Sequence, residues 1–267
     1  MKTENIHHNI IITGYPYENS NDLNPEKKNI RKYLKNNGAQ FIVCLFDNHH
    51  DMNLELEQHV HSSIMEKFYK SLLLWAKVDD EIGLIIKSKR QETKMLLPGI
   101  PALIEELNET GRLYDVQDSF MAKPCDFSKY STISVSIGLF LSGALIESVL
   151  KGTRGIHYDY GNLMKNEYEL YSWGFNQVIF NDLDKMIESL KRYKNDPSSN
   201  PNLGNWSKHL DEIDPFRDGK GGERIGKYLF WLQDGFEKGL KRNDSIARAN
   251  ELYANKWGED KIYFCDK

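Results

Sequence analysis

Apolar residues in this 267-residue chain gather in short unbroken runs, and between the runs they recur at helical spacing. Phe41-Ile42-Val43-Cys44-Leu45-Phe46 and Ile82-Gly83-Leu84-Ile85-Ile86 are of strand length and carry no polar side chain. Further runs follow at 113–116, 133–138, 155–160 and 177–180. Ile64, Phe68, Leu72 and Trp75 stand three and four residues apart, which predicts a helix over 60–77. Other helices are predicted over 25–37, with Pro25 in the first turn and Gly38 as the stop, and over 100–110, 144–150 and 183–193. Strands that lack a polar face and alternate with helices predict a mainly parallel sheet covered on both sides. The expected fold is therefore α/β, with a Rossmann-like domain over 39–194. A leading segment, 1–38, is expected to supply a buried strand near 9–16 and the first helix. In the last region, 195–267, a Pro/Asn/Ser-rich connector (196–214) precedes helices over 222–238 and 243–257, expected to pack on the domain.

Composition narrows the function classes. The charge sum is 35 minus 39, or −4, so no global basic field points to nucleic acid. Hydrophobic residues make up 40% and aromatics 12%, enough for a core and too many for a disordered chain. No apolar run approaches the ~20 residues of a membrane span, and the opening MKTENIHHNI lacks the apolar stretch of a signal peptide. The three cysteines (Cys44, Cys125, Cys265) are widely spaced, which fits a reducing compartment and excludes a disulfide framework or a cysteine zinc site. A cytoplasmic location is expected.

In an open parallel sheet, ligands bind outside the carboxyl ends of the strands, near helix N-termini. Three such ends are unusually polar here. Asp47-Asn48-His49-His50 follows the first core strand, and Lys87-Ser88-Lys89-Arg90, with three positive charges, follows the second. Ser142-Gly143 opens a helix whose exposed backbone N–H groups and positive dipole end suit a phosphate. An anion held between that helix end and Lys87 is the simplest reading of the combination. A Ser-Gly pair alone is more often an ordinary cap.

Ser142-Gly143-Ala144-Leu145-Ile146-Glu147, followed by Lys151-Gly152-Thr153-Arg154-Gly155-Ile156-His157-Tyr158-Asp159, resembles the donor-binding signature of GT-B glycosyltransferases. The resemblance implies that the Ser142-Gly143 turn meets a donor diphosphate and that Glu147 meets ribose or sugar hydroxyls. Ile85-Ile86-Lys87-Ser88-Lys89 is similar to the I-K-P-K/H strand end of polyol-phosphate and capsule transferases. Asp214-Pro215-Phe216-Arg217-Asp218-Gly219-Lys220-Gly221-Gly222-Glu223-Arg224-Ile225 resembles bacterial surface-carbohydrate (capsule or O-antigen type) biosynthesis proteins. These share a D-G-K-A-x-E-R stretch with CDP-glycerol glycerophosphotransferase-like enzymes. The resemblance covers nearly the whole chain, and the tail is its most specific part. Because a GT-B enzyme has two Rossmann-like domains, and Ile12-Thr13-Gly14-Tyr15-Pro16 is similar to the strand that enters the second, a C-terminal half is expected. The partners implied are a nucleotide-activated sugar or polyol donor, a glycan or lipid-linked acceptor, and an N-terminal Rossmann-like domain or partner chain. A peripheral position at the inner membrane face is compatible with this. No cofactor or metal is expected. The same fold serves sugar-nucleotide 2-epimerases, whose characteristic acidic and histidine set is not evident here.

Residue roles follow with their plainer alternatives. Lys87, Lys89, Ser142, Gly143, Glu147, Arg217 and Arg224 are the expected donor and phosphate ligands, and Asp47, Asn48 and His157 the expected cleft lining. His49 and Asp159 are the candidates for the catalytic base. Yet His49 and His50 are adjacent and point different ways, so a solvated loop is an alternative. His157 and Asp159 share a strand face that either reaches the cleft or holds a satisfied core histidine. Arg217 and Arg224 bracket a Gly-rich turn suited to bidentate phosphate recognition, or else form an Arg–Asp brace joining the tail helices to the Rossmann-like core. Trp231, Trp257, Tyr228 and Phe236 read as core, Lys241-Arg242 as a solvated helix end, His7 and His8 as a loose terminus, and His59 and His61 as a helix start. The function expected is a nucleotide-sugar-dependent glycosyltransferase-like protein of surface polysaccharide synthesis. The alternative is a non-catalytic nucleotide-sugar-binding or assembly subunit.

Overall fold

A computed structural model describes residues 8–16, 29–51, 60–90, 94–117, 122–162 and 169–265. Pro25, His7 and His59 lie outside the described residues. Along the chain the strands are β1 (His8–Ile11), β2 (Phe41–Phe46), β3 (His50–Asp51), β4 (Val60–His61), β5 (Ile82–Lys87), β6 (Leu113–Asp115), β7 (Ile133–Ile137), β8 (Arg154–Tyr158), β9 (Ile179–Phe180) and β10 (Ile262–Cys265). The helices are α1 (Ile30–Asn36), α2 (Ser62–Val78), α3 (Ile100–Glu109), α4 (Cys125–Ser128), α5 (Gly143–Leu150), α6 (Leu170–Gly174), α7 (Leu183–Asn195), α8 (Leu210–Ile213), α9 (Gly221–Glu237) and α10 (Arg242–Trp257). Two compact units form, one from residues 21–208 and one from residues 1–20 together with 209–267.

The larger unit is built on a six-stranded parallel sheet in the order β6-β5-β2-β7-β8-β9. Counted along the chain this is 3-2-1-4-5-6, the doubly wound Rossmann order, and the direction of winding reverses between β2 and β7. The central strand explains why its sequence has no polar face. Phe41, Val43 and Leu45 point into a core built with Phe68, Leu72, Trp75 and Ala76 of α2, and with Leu190 and Tyr193 of α7. Ile42, Cys44 and Phe46 point the opposite way, against Ile30 and Leu34 of α1 and Phe127 of α4. Burying one such side chain stabilises the unit by roughly 1.5–3 kcal/mol, so both helical layers are needed to hold the strand. Gly111 and Gly152 end α3 and α5 at positive φ (69° and 88°), where a side chain would strain the backbone.

Several boundaries differ from those expected. Ile30 and Leu34 make α1 part of the larger unit's core rather than of a leading segment. Residues 196–208, expected as connector, close on the sheet. Trp206 Nε1 donates to the Gly155 carbonyl at 2.8 Å, and the Arg154 guanidinium donates to the carbonyls of Pro201 and Leu203 at 2.9 and 2.6 Å. The strand expected at 177–180 pairs over only Ile179–Phe180.

The smaller unit joins both ends of the chain. β1 is not a buried strand: Ile10 is half exposed, because β1 pairs antiparallel with β10 alone, His8 opposite Cys265. β10 was not anticipated from sequence. α9 and α10 form a hairpin in which the rings of Trp231 and Trp257 meet tilted at 5.7 Å and those of Tyr253 and Trp257 at 4.6 Å. Tyr228 belongs to this cluster, 5.9 Å from Tyr253, whereas Phe236 is half exposed and does not. The Tyr253 hydroxyl donates to the Ile12 carbonyl at 2.8 Å, fixing the N-terminal segment. Among the described residues no helix is long and apolar enough to cross a membrane.

Candidate functional site

A cavity of about 540 Å³ opens at the carboxyl ends of β2, β5 and β7, beside the point where the winding reverses. Its walls come from three loops. Phe46 ends β2 and Asp47–His49 follow it, Lys87 ends β5 with Lys89 and Arg90 after it, and Leu139–Ser142 leads from β7 into Gly143 and Ala144 of α5, with Pro124 completing the rim. The structure thus brings together Asp47, Asn48, His49, Lys87, Lys89, Ser142 and Gly143 from the expected set. Three cations line this opening, and Arg90 adds to the expected ligands a charge that its neighbours in the Lys-Ser-Lys-Arg run already signalled.

The start of α5 stands at the cavity wall. Ser142 adopts the extended backbone of an N-cap (φ −70°, ψ 128°), but its side chain makes no cap hydrogen bond. Its carbonyl accepts from the Leu145 and Ile146 N–H groups at 3.0 and 3.1 Å, so α5 starts squarely at the cavity wall. Glu147 lies one turn inside the helix and outside the lining. Burial raises its carboxyl above the usual range, while Lys123 and then Lys87 oppose the rise.

Beneath the cations lies a network that residue types alone do not disclose. Asp47 is 7% exposed. One carboxylate oxygen accepts the Lys89 N–H and the other accepts the Tyr69 hydroxyl at 2.7 Å. Tyr69, buried on α2, shares a second hydrogen bond with the Ser88 hydroxyl at 3.2 Å. Burial lifts the Asp47 carboxyl to about 6, held back by the Lys89 N–H, Tyr69 and Lys94. The missing signal was Tyr69, which the helical periodicity marks only as a core position. Lys94, wholly buried, pairs with Asp115 at the end of β6.

The histidines separate. His49 lines the cavity, whereas the ring of His50 turns inward and bonds the Ser62 hydroxyl at 3.1 Å. His157, expected in the cleft lining, is wholly buried instead. Its Nδ1 meets the Ser136 hydroxyl at 2.9 Å on the neighbouring strand, and Nε2 has no hydrogen-bond partner of good geometry among the described residues. Burial lowers its pKa to about 4, with the Gly138 backbone opposing. The core alternative therefore holds for its burial. Asp159 is buried too, accepting from the Tyr171 hydroxyl at 2.5 Å, and lies outside the lining. Among the described residues no three His, Cys, Asp or Glu side chains converge as metal ligands.

Arg217 and Arg224 belong to the smaller unit, where both pair with aspartates. Arg217 meets Asp211 at 2.5 Å and holds a left-handed backbone (φ 46°). Arg224 is 3% exposed. It pairs with both oxygens of Asp218, donates to the Thr13 carbonyl at 3.2 Å and lies 3.5 Å over the Phe216 ring. Both Arg–Asp pairs therefore lie within that unit, not between the tail and the Rossmann-like core as the brace was expected to run.

No family model and no curated protein matches the chain. Among solved structures it is similar to the MnaA–UDP co-structure of S. aureus (10% identity, TM-score 0.47, 84% of this chain and 55% of that one). It is also similar to a UDP-N-acetylglucosamine 2-epimerase from Listeria monocytogenes, described there as putative (11%, 0.47, 87% and 55%). A third is the wall teichoic acid polymerase TagF, H548A (12%, 0.43, 80% and 49%). The chain spans about half the length of each. The strand order, not these likenesses, defines the fold, and no residue role passes from them.

Proposed function

We propose that the larger unit binds the nucleoside-diphosphate part of an activated sugar or polyol donor, and that the chain is the donor-binding half of a transferase in bacterial surface polysaccharide synthesis. The observation that carries this reading is the cavity at the reversal of strand order, where Lys87, Lys89 and Arg90 face the start of α5. Cations and a helix N-terminus at one rim suit a diphosphate, each drawing on its negative charge. As the glycosidic bond of a sugar donor breaks, or the phosphoanhydride bond of a polyol-phosphate donor, the leaving nucleotide gains negative charge. Fixed donors at that position then stabilise the transition state more than the ground state, without need of a metal. His49 is the candidate base for a glycan or lipid-linked acceptor hydroxyl, because it lines the cavity and Asp159 does not. The rest of the acceptor site falls to a second Rossmann-like domain or a partner chain.

Calorimetry with UDP, CDP, GDP and CMP tests the reading. One of them is expected to bind, and Lys87→Ala to weaken it by ~1–3 kcal/mol, the scale of a charge-assisted contact. Failure of all four to bind at millimolar concentration would remove the donor site.

A further inference from the structure

A carboxylate in the floor of an anion site is out of place on charge grounds alone. Asp47 lines the cavity that Lys87, Lys89 and Arg90 also line, and by Coulomb's law it should repel the ligand they attract. Its contacts explain its presence. Oδ1 accepts the Lys89 N–H, from the loop after β5, and Oδ2 accepts the Tyr69 hydroxyl, from α2. Tyr69 reaches on to Ser88 in that same loop. The next residue extends the tie: Asn48 Oδ1 accepts the His49 N–H at 2.8 Å and the Lys89 ammonium at 3.1 Å. On its other side a Cβ on Gly138, after β7, would stand 3.0 Å from Asn48 Nδ2, so that loop closes on the same pair.

We infer that Asp47 is a positioning residue, a strut whose two oxygens hold the Lys87–Arg90 loop against β2 and α2 so that its cations face the cavity. The inference rests on the donor-site reading for its functional meaning. The groups acting on the carboxylate are Tyr69 from α2, the Lys89 N–H and the Ser88 hydroxyl from the loop after β5, and Lys94 with its partner Asp115 of β6, while Lys87, Lys89, Arg90 and His49 line the same cavity. None of the surrounding cations forms a side-chain ion pair with Asp47 among the bonds described; the loop is held through a backbone N–H. Charge and geometry therefore predict opposite outcomes when the carboxylate is removed.

The test uses the whole chain and whichever nucleotide binds it. Asp47→Ala removes both acceptors, and its affinity is expected to fall about tenfold or more. Asp47→Asn keeps an acceptor for the Lys89 N–H and an amide facing the Tyr69 hydroxyl, and is expected to return affinity to within about threefold of wild type. If Asp47 acts by charge alone, both variants bind the anion more tightly, and that result, or unchanged affinity in Asp47→Ala, overturns the inference. Thermal melting checks that Asp47→Ala folds; if it does not, Tyr69→Phe decides, with a loss of about threefold expected and no loss overturning the strut. Amide hydrogen exchange at Lys89 needs no nucleotide. It is expected to quicken about tenfold or more in Asp47→Ala, or in Tyr69→Phe if that variant alone folds. Unchanged exchange overturns the strut even where nucleotide binds, whereas quickened exchange with no binding by wild type overturns the donor reading alone.

Discussion

Asp47→Asn is expected to stabilise the larger unit by about 3 kcal/mol near pH ~7.5 and to change nothing near pH ~3.5. The Asp47 carboxyl has its folded pKa raised from 3.8 to about 6 by burial. A raised carboxyl pKa means that the folded state holds the proton more tightly than the unfolded chain does. Ionisation therefore works against folding. The penalty is absent below the unfolded pKa, grows as pH rises from about 4, and is complete above about 6. Asn carries the neutral shape at every pH, so its advantage should appear over that window. His157 has the opposite sign of pH response. Burial lowers its pKa from 6.5 to about 4, so the unfolded chain binds a proton before the folded one does, and stability is lost as pH falls from about 6.5 towards 4. In the wild type the two effects offset one another on mild acidification. In Asp47→Asn the histidine is left alone, and that variant should lose about 3 kcal/mol between pH ~7 and pH ~4. Urea unfolding across this range, followed by the emission of Trp75 and Trp206, measures both. A stability difference between variant and wild type that is the same at both ends of the range would refute the assignment. Retaining a carboxylate that destabilises the fold at neutral pH is the expected mark of a functional position.

Arg224→Leu is expected to destabilise the smaller unit by about 1.5–3 kcal/mol, the scale of losing charged hydrogen bonds from a buried guanidinium whose partner Asp218 is 38% exposed and screened by solvent. The guanidinium holds both oxygens of Asp218, the Thr13 carbonyl and the face of Phe216. Leucine fills part of the volume but leaves the Thr13 carbonyl and Asp218 without those donors. Lysine should not rescue the variant, because a point ammonium cannot span Asp218 and Thr13 while stacking on an aromatic ring. Asp218 adds a pH signature. Arg224 holds its carboxyl below the usual range, so the pair's contribution is present at neutral pH and is lost as pH falls below about 3.9 through the lowered value. Trp231 and Trp257 report unfolding of this unit, and a melting curve for Arg224→Lys that overlays the wild type would contradict the brace.

The order of elements could be read from the chain because each rests on local rules. β2 and β5 are unbroken apolar runs, α2 has its core residues at helical spacing, and Gly111 and Gly152 stop their helices where only positive φ continues the chain. The loops of the site were legible for the same reason. In a parallel sheet each apolar strand must surface at its carboxyl end, so the polar runs after Phe46 and Ile86 and the loop after Ile137 that leads to Ser142 fall at one rim. What the sequence determined by itself was therefore the α/β alternation and the presence of cations and a helix start at that rim. Tertiary structure decided which residues face which way. Tyr69 is one more apolar position in a helix until the fold puts Asp47 beside its hydroxyl, and His157 reads alike as ligand or core until β7 covers it with Ser136. Arg217 and Arg224 could have served a phosphate, but their aspartates lie within the same folded tail. β1 found its partner at the opposite end of the chain, in β10. Apart from the two Arg–Asp pairs, these pairings join residues 21 to more than 200 positions apart, and periodicity, which compares a residue only with its near neighbours, carries no information across that distance.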